Sequence, residues 1–113
     1  MFITALALAV QSAPAPAAAL SIEQQAAVRC AAAFALTAQA QARGEADALS
    51  LPPMAERGRE FFVRVAAQLM DETGMDRQQV SAVLAAQAAA VAGSGETVAV
   101  ARSCLPFMEA AAI

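Results

Sequence analysis

The sequence contains no histidine, lysine, tyrosine or tryptophan among its 113 residues. Without histidine the chain has no Ser–His–Asp or Cys–His catalytic group, no imidazole base and no histidine-ligated zinc site. Without lysine it has neither a P-loop lysine nor a Schiff-base nucleophile. We therefore expect a protein that is not an enzyme and that holds no cofactor and no metal ion.

Positive charge is also scarce in this chain. Seven arginines stand against ten acidic residues, which gives a net charge of −3 and a pI near 4.7. Because phosphate binding needs a surplus of positive charge, we expect no nucleic-acid partner. The one basic cluster holds Arg57, Arg59 and Arg64. It is interleaved with Glu56 and Glu60, which is typical of a solvated helix face rather than of an anion site.

Alanine, in contrast, is abundant: its 34 residues make up about half of the 59% hydrophobic composition. Alanine is the strongest helix former, but its side chain buries little area. A chain of this length makes one small domain, and its large apolar side chains are few for a bundle of four helices. We therefore expect helices that approach one another closely and that gain stability from a covalent link.

The N-terminal segment has the pattern of an export signal. The first 19 residues carry no charged side chain, and Phe2–Val10 is an apolar stretch. Ala15 and Ala17 fit the A-x-A pattern that signal peptidase cleaves, although no Lys or Arg precedes the apolar stretch. We predict a signal peptide at residues 1–17, with cleavage after Ala15 or Ala19 as the alternatives.

Two prolines, Pro14 and Pro16, interrupt this apolar stretch before it reaches the roughly 20 residues that span a membrane. An uncleaved anchor or an ordinary first helix are the alternatives to a signal peptide, and either would describe a membrane-tethered or cytosolic regulator. We predict instead a single helical domain at residues 18–113, periplasmic or secreted, with no membrane span in the mature chain.

The two cysteines, Cys30 and Cys104, both lie beyond the predicted cleavage site. They are too far apart for a CxxC redox motif and too few for a metal cage. In an exported chain such a pair predicts one disulfide. Closing a loop of about 75 residues stabilises a fold by roughly 4 kcal/mol in the chain-entropy model. Two buried thiols in a cytosolic protein and a redox-active pair are the alternatives.

The first helix is predicted from Ser21, an N-cap with Gln24 at the capping-box position, to about Arg43, where Gly44 stops it. A further helical turn is expected at Ala46–Leu49. The predicted inner face of the first helix holds Ile22, Ala26, Cys30, Ala33 and Phe34. The side chains expected to face water are Gln25, Gln39, Gln41 and Arg43.

The second helix is predicted to open at Pro52 and Pro53, because proline at the first helical positions loses no hydrogen bond. Apolar residues then recur at four-three spacing, which is typical of a buried helix stripe. The stripe consists of Met54, Gly58, Phe61, Val65 and Leu69. A glycine on this stripe, Gly58, indicates close approach of a neighbouring helix.

A tight turn is predicted between the second and third helices. Gly74 ends the second helix, and Asp76 caps the third, with Gln79 at the capping-box position. The third helix is predicted over about Arg77–Ala92, and the fourth begins near Glu96.

Pro106 lies inside the fourth helix, which is predicted to run to about Ala111. It removes the hydrogen bond to the carbonyl of Arg102, so a kink or a break is expected there. Together, four helices with short connections predict an all-α fold, a small and mostly antiparallel four-helix bundle after the signal segment. A bond between Cys30 and Cys104 would place the early part of the first helix against the late part of the fourth.

The mature chain resembles uncharacterised small exported helical proteins of alanine-rich, lysine-poor bacterial proteomes, through the stretches VRCAAAFAL, LPPMAERGREFFVRV, LMDETGMDRQQV and SCLPF. The resemblance covers nearly all of the mature chain and implies an exported helical domain, but no activity. In size, single disulfide and helical content the chain is also similar to periplasmic acid-stress chaperones, which is an analogy of architecture alone.

We therefore expect a non-catalytic binding or structural module that meets a protein partner, or a second copy of itself, through an apolar groove. Alanine covers a core poorly and leaves apolar surface for such a partner. The alternative is an acid- or stress-responsive periplasmic holdase, whose response would come from protonation of its ten carboxylates. An enzyme is not favoured, because every acidic residue except Glu109 is placed on a polar face or at a helix cap.

Overall fold

Abundant alanine and side-chain caps produce a chain that is helical almost throughout. The computed structural model describes residues 20–113, and the predicted signal peptide at residues 1–17 lies outside them. Within residues 20–113 the elements are five helices and no strand. The predicted all-α fold class is confirmed for this part of the chain.

The first long helix, α1, spans Ile22–Ala42, and its N-cap Ser21 closes a capping box with Gln24. Gly44 follows its end in the left-handed conformation, with φ 76°, which suits a residue without a Cβ. A single helical turn, α2, spans Ala46–Leu49. These boundaries follow the local signals in the sequence.

The second long helix, α3, spans Arg57–Thr73 and begins later than predicted. Pro52 and Pro53 are exposed and lie outside the helix. A residue that precedes proline disfavours the helical conformation, and Leu51 and Pro52 both precede one. The prolines therefore extend the connection before α3 instead of opening the helix, and Met54 is fully buried within this connection.

The last two helices are α4, which spans Arg77–Ser94, and α5, which spans Thr97–Ala110. Pro106 lies inside α5, and the helix continues past it, so of the kink or break expected there a break is excluded. Arg102 and Pro106 are both exposed. Proline leaves the Arg102 carbonyl without its helical donor, and the helix tolerates this loss.

The helix α1 lies at the centre of the bundle, because it contacts α3, α4 and α5 more extensively than these three contact one another. Five consecutive residues, Cys30 to Phe34, are each at most 3% exposed. A helix that is buried on all sides needs apolar residues on all sides. Three of these five residues are alanines, whose small side chains let several neighbours approach the helix at once.

The prediction for the first turn of α1 is wrong, because Ile22 is 84% exposed. Leu20 and Val28 occupy the core at this end of the helix instead. An argument from periodicity assumes that a helix buries one face along its whole length. Because several helices surround α1, the residues buried in each turn depend on which helices contact that turn.

The prediction that Gln41 faces water is also wrong. Its side-chain NH₂ group donates to the carbonyl oxygens of Ala48 at 3.0 Å, Leu51 at 3.3 Å and Pro52 at 2.9 Å. Its side-chain oxygen accepts the N–H of Met54 at 2.9 Å. Gln41 therefore holds the connection between α2 and α3 against α1.

The predicted disulfide is confirmed: Cys30 in α1 is bonded to Cys104 in α5, with their Cα atoms 5.5 Å apart. Both cysteines are buried. The bond joins residues separated by 74 positions, so it links the first and last helices of the described chain.

Candidate functional site

An open groove of about 640 Å³ lies between α3 and α4, over the surface of α1. It exists because α3 and α4 both pack extensively on α1 but contact each other much less. We call it the α3–α4 groove. Its apolar lining includes Ala32, Ala35, Leu36, Phe62, Val63, Ala66, Met70, Val80, Leu84, Ala85 and Ala88.

Alanine sets the depth of the α3–α4 groove. Ala35, Ala66 and Ala85 line it from three different helices, at positions where larger side chains would fill it. Phe62 supplies a large apolar wall, and Val63 is 58% exposed at the groove. An apolar concavity of this kind on a small domain is typical of a binding site.

The electrostatics of the groove are simple. Arg77 is the one charged residue in its lining, and Gln39 and Ser81 are the polar ones. Arg77 is exposed, and among residues 20–113 its guanidinium group makes neither a salt bridge nor a hydrogen bond to another side chain. The neighbouring carboxylate of Asp76 is engaged elsewhere, since it accepts the Gln79 N–H at 2.8 Å.

A second, more polar depression of about 600 Å³ lies over the disulfide, between α1, α4 and α5. Cys30 and Cys104 line it together with two exposed apolar side chains, Ile22 at 84% and Phe107 at 51%. Arg29 is its charged residue. The cysteines are joined there, so the depression presents a disulfide rather than a thiol.

The other residues singled out in the sequence do not line the α3–α4 groove. A Cβ placed on Gly58 would lie 3.2 Å from the Cβ of Phe34, so α3 and α1 come close at that point. Gly74 ends α3 with φ 72°, Asp76 caps α4, and Pro106 lies in α5. These positions shape the helices and their spacing.

Sequence reasoning did not locate the groove itself. The signal for it in the sequence is the run of alanines beside Val80 and Leu84 on α4. Of those alanines, Ala85 and Ala88 line the groove. The pattern could not show that α3 stands apart from α4 at this point.

The basic cluster on α3 does more than the solvated face that its sequence indicated. Arg57 is half-buried, and its guanidinium group donates to the carbonyl oxygen of Ile113 at 3.0 and 3.2 Å. Arg64 donates to the carbonyl oxygen of Ala111 at 2.8 Å and pairs with Glu60 at 2.8 Å. The cluster therefore fastens the residues after α5 to α3.

The acidic residues offer no buried acid–base pair, because all ten Asp and Glu residues are exposed. Glu72 is held by two amides: Gln24 donates to one carboxylate oxygen at 2.7 Å and Gln68 to the other at 2.8 Å. These hydrogen bonds, that from Gln24 foremost, lower the pKa of the Glu72 carboxyl. This arrangement joins α1 to α3 at an exposed position.

No group of three or more Cys, Asp or Glu side chains in the described range is placed to hold a metal ion. Among the helices of residues 20–113, none combines the length and the apolar character needed to cross a membrane. Comparison with known proteins gives no match: no family model, curated protein sequence or solved structure is detectably similar to the chain.

Proposed function

We propose that this chain is a small, non-catalytic binding module that takes an apolar ligand or partner into the α3–α4 groove. The observation that carries the proposal is the groove itself, which is open, apolar and about 640 Å³ in volume. Sites for small molecules and cofactors are concave, mostly apolar and of about 300–1,000 Å³. The groove has these properties, and its few polar groups are of the kind that orient a ligand.

In this proposal the four long helices form a mostly antiparallel four-helix bundle. Two contacts between α1 and α3 support opposite directions for these helices. The early Gln24 binds the late Glu72 at 2.7 Å, and the rings of the later Phe34 and the earlier Phe61 meet edge to face at 5.1 Å. The disulfide holds α5 to α1, so α3 and α4 are left to border the ligand.

The proposed place of action is outside the cytoplasm, in the periplasm or as a secreted protein. Disulfides form and persist in oxidising compartments, and Cys30 is bonded to Cys104. The apolar N-terminal segment, with its A-x-A pattern, supports export of the chain.

The alternative function, an acid-responsive holdase, stays a prediction and is not favoured here. All ten carboxylates are exposed, and the hydrogen bonds that lower the pKa of Glu72 lie at the surface. Acid therefore removes few native interactions, whereas a holdase of this type needs acid to open its fold.

Binding of the neutral apolar dye Nile red tests the proposed function. Ala85 is exposed on α4 and lines the groove, so Ala85→Trp fills the site without disturbing the core. Ala86 is also exposed on α4 but lies outside the groove lining, so Ala86→Trp is the matched control.

We expect the dye to fluoresce with the wild-type protein and with Ala86→Trp, and to lose most of that signal with Ala85→Trp. Equal signals from the two variants, or no dye binding by the wild type, would contradict the proposed function.

A further inference from the structure

We propose that the α3–α4 groove binds a single-chain amphiphile with an anionic head group, such as a long-chain carboxylate. The apolar chain lies along the alanine-rich floor, and the head group lies at Arg77. This inference rests on the proposed function, because it names the ligand class for the same groove.

Charge around the groove selects the head group. The chain carries ten acidic residues against seven arginines, yet no Asp or Glu lines the groove. The charged residue that does line it, Arg77, has no partner among the side chains of residues 20–113. An unpaired guanidinium group at an apolar site is suited to a carboxylate, which it can bind through two parallel hydrogen bonds.

The shape of the apolar surface selects a long, thin tail. Beyond Ala35 and Phe62 the surface continues into a smaller recess of about 190 Å³, which Met54 and Arg59 also line and which no acidic residue lines. Met70 lines the groove together with Arg77. The eleven helical steps from Arg59 to Met70 cover roughly 16 Å at the rise of an α-helix. An extended dodecyl chain has a similar length.

An amphipathic helix is the other kind of occupant that apolar grooves accept. A helix with its side chains is about 10 Å across, so it needs walls that stand far apart. Here α3 and α4 still contact each other while both pack on α1. A groove of about 640 Å³ is small for a helix with its side chains, which favours an acyl chain over a helix.

Isothermal titration calorimetry with three dodecyl amphiphiles tests the proposal, using the disulfide-bonded protein below the micelle concentration of each. The probes are dodecanoate, dodecyl maltoside and dodecyltrimethylammonium, which share one chain and carry negative, neutral and positive head groups. We expect one dodecanoate to bind per chain, at least about tenfold more tightly than the other two, because a charge-assisted pair contributes on that scale.

Two pairs of variants locate the site. Arg77→Gln is expected to weaken dodecanoate binding about tenfold, which is the effect of one lost charge-assisted pair. Arg29→Gln removes the same charge from the depression over the disulfide and leaves binding unchanged. Ala85→Trp abolishes binding, whereas Ala86→Trp retains it. Arg77 is exposed and its guanidinium group makes neither a salt bridge nor a hydrogen bond to a side chain of residues 20–113, so Arg77→Gln is expected to keep the fold. The test of the charge therefore does not depend on the tryptophan variants.

The outcomes separate this inference from the proposed function. Equal affinities for the three amphiphiles, with no effect of Arg77→Gln, overturn the preference for an anionic head group. The proposal that the groove binds an apolar ligand is unaffected by that result. A different result is that dodecanoate does not bind, whereas a helical peptide binds the wild type but not Ala85→Trp. This result overturns the amphiphile as the ligand, and the groove remains a binding site. Failure of dodecanoate and of Nile red to bind overturns both.

Discussion

At the scale of single residues, Gln41 shows how one amide organises a connection. It makes four hydrogen bonds to backbone groups of residues 48–54, three as donor and one as acceptor. Backbone groups in such a connection lack helical partners and must be satisfied in another way. The planar amide of Gln41 carries both donors and an acceptor, so it can satisfy them where a carboxylate could not.

Replacing Gln41 by alanine is expected to lower the free energy of unfolding by about 1–3 kcal/mol, because the carbonyls of Leu51 and Pro52 and the N–H of Met54 lose their partner. Urea unfolding followed by far-UV circular dichroism measures the change. Gln39→Ala is the matched control: Gln39 is exposed and its side chain makes no hydrogen bond within residues 20–113, so its loss is expected to change stability by less than about 0.5 kcal/mol. Similar losses for the two variants would show that Gln41 does not hold the connection.

Two helix glycines are expected to respond to alanine with opposite signs. In α3, a Cβ on Gly58 would lie 3.2 Å from the Cβ of the fully buried Phe34, whose ring is held by Phe61. Overpacking costs about 1–3 kcal/mol and outweighs the gain of about 1 kcal/mol in helix propensity, so Gly58→Ala destabilises. In α4, a Cβ on Gly93 meets no atom of residues 20–113 within 4 Å, and Gly93→Ala stabilises by about 0.5–1 kcal/mol.

Thermal unfolding of the two glycine variants and the wild type gives the comparison. Stabilisation by Gly58→Ala would mean that α1 and α3 can separate at this point, contrary to the close approach described above.

At the scale of elements, the central position of α1 explains both the successes and the errors of the sequence predictions. Caps and stops are local, so the start of α1 at Ser21 and the turn at Gly74–Asp76 could be predicted from a few neighbouring residues. The faces of α1 could not, because alanine is equally compatible with core and surface. Ala31 and Ala33 are fully buried, whereas Ala82 and Ala86 on α4 are exposed.

The contact between the start of α1 and the end of α3 is expected to depend on pH through Glu72. Hydrogen bonds from Gln24 and Gln68 lower the pKa of Glu72 below its ordinary value of 4.5. The carboxylate therefore stabilises the fold above about pH 4.5, and this contribution is lost as the pH falls through the lowered pKa. Glu72→Gln removes this component of the pH dependence.

Urea unfolding of wild type and Glu72→Gln at several pH values between about 3 and 6 measures that component. Glu109→Gln is the control, since it removes one exposed carboxylate that makes no hydrogen bond among the described side chains. An identical pH dependence for wild type and Glu72→Gln would rule out a role for this contact in stability.

At the scale of the whole molecule, the disulfide and the arginines of α3 both act on the last helix. Cys104 bonds α5 to α1, while Arg57 and Arg64 donate to backbone carbonyls just beyond its end. By contrast, neither a disulfide nor a side-chain hydrogen bond links α4 to another helix of residues 20–113. Its packing on α1 and its limited contact with α3 leave the groove open. The covalent link thus joins two residues that do not line the proposed binding site.

Loss of the disulfide is expected to lower the free energy of unfolding by about 2–4 kcal/mol, because the unfolded chain regains the freedom that a long closed loop removes. Urea unfolding of the wild type with and without reductant measures this loss. The double variant Cys30→Ser, Cys104→Ser is expected to be less stable than the oxidised wild type and insensitive to reductant. Equal stability of oxidised and reduced wild type would contradict a structural role for the bond.

The sequence by itself determined the helical class, the caps, the stops and the pairing of two cysteines, because these depend on propensity, on residues a few positions apart or on a simple count. Only the tertiary structure decided which alanines are buried, that α1 is central, and that α3 and α4 diverge to leave an apolar groove. The physical reason is that a methyl side chain gains little from either environment, so its burial follows from how the larger side chains on neighbouring helices pack.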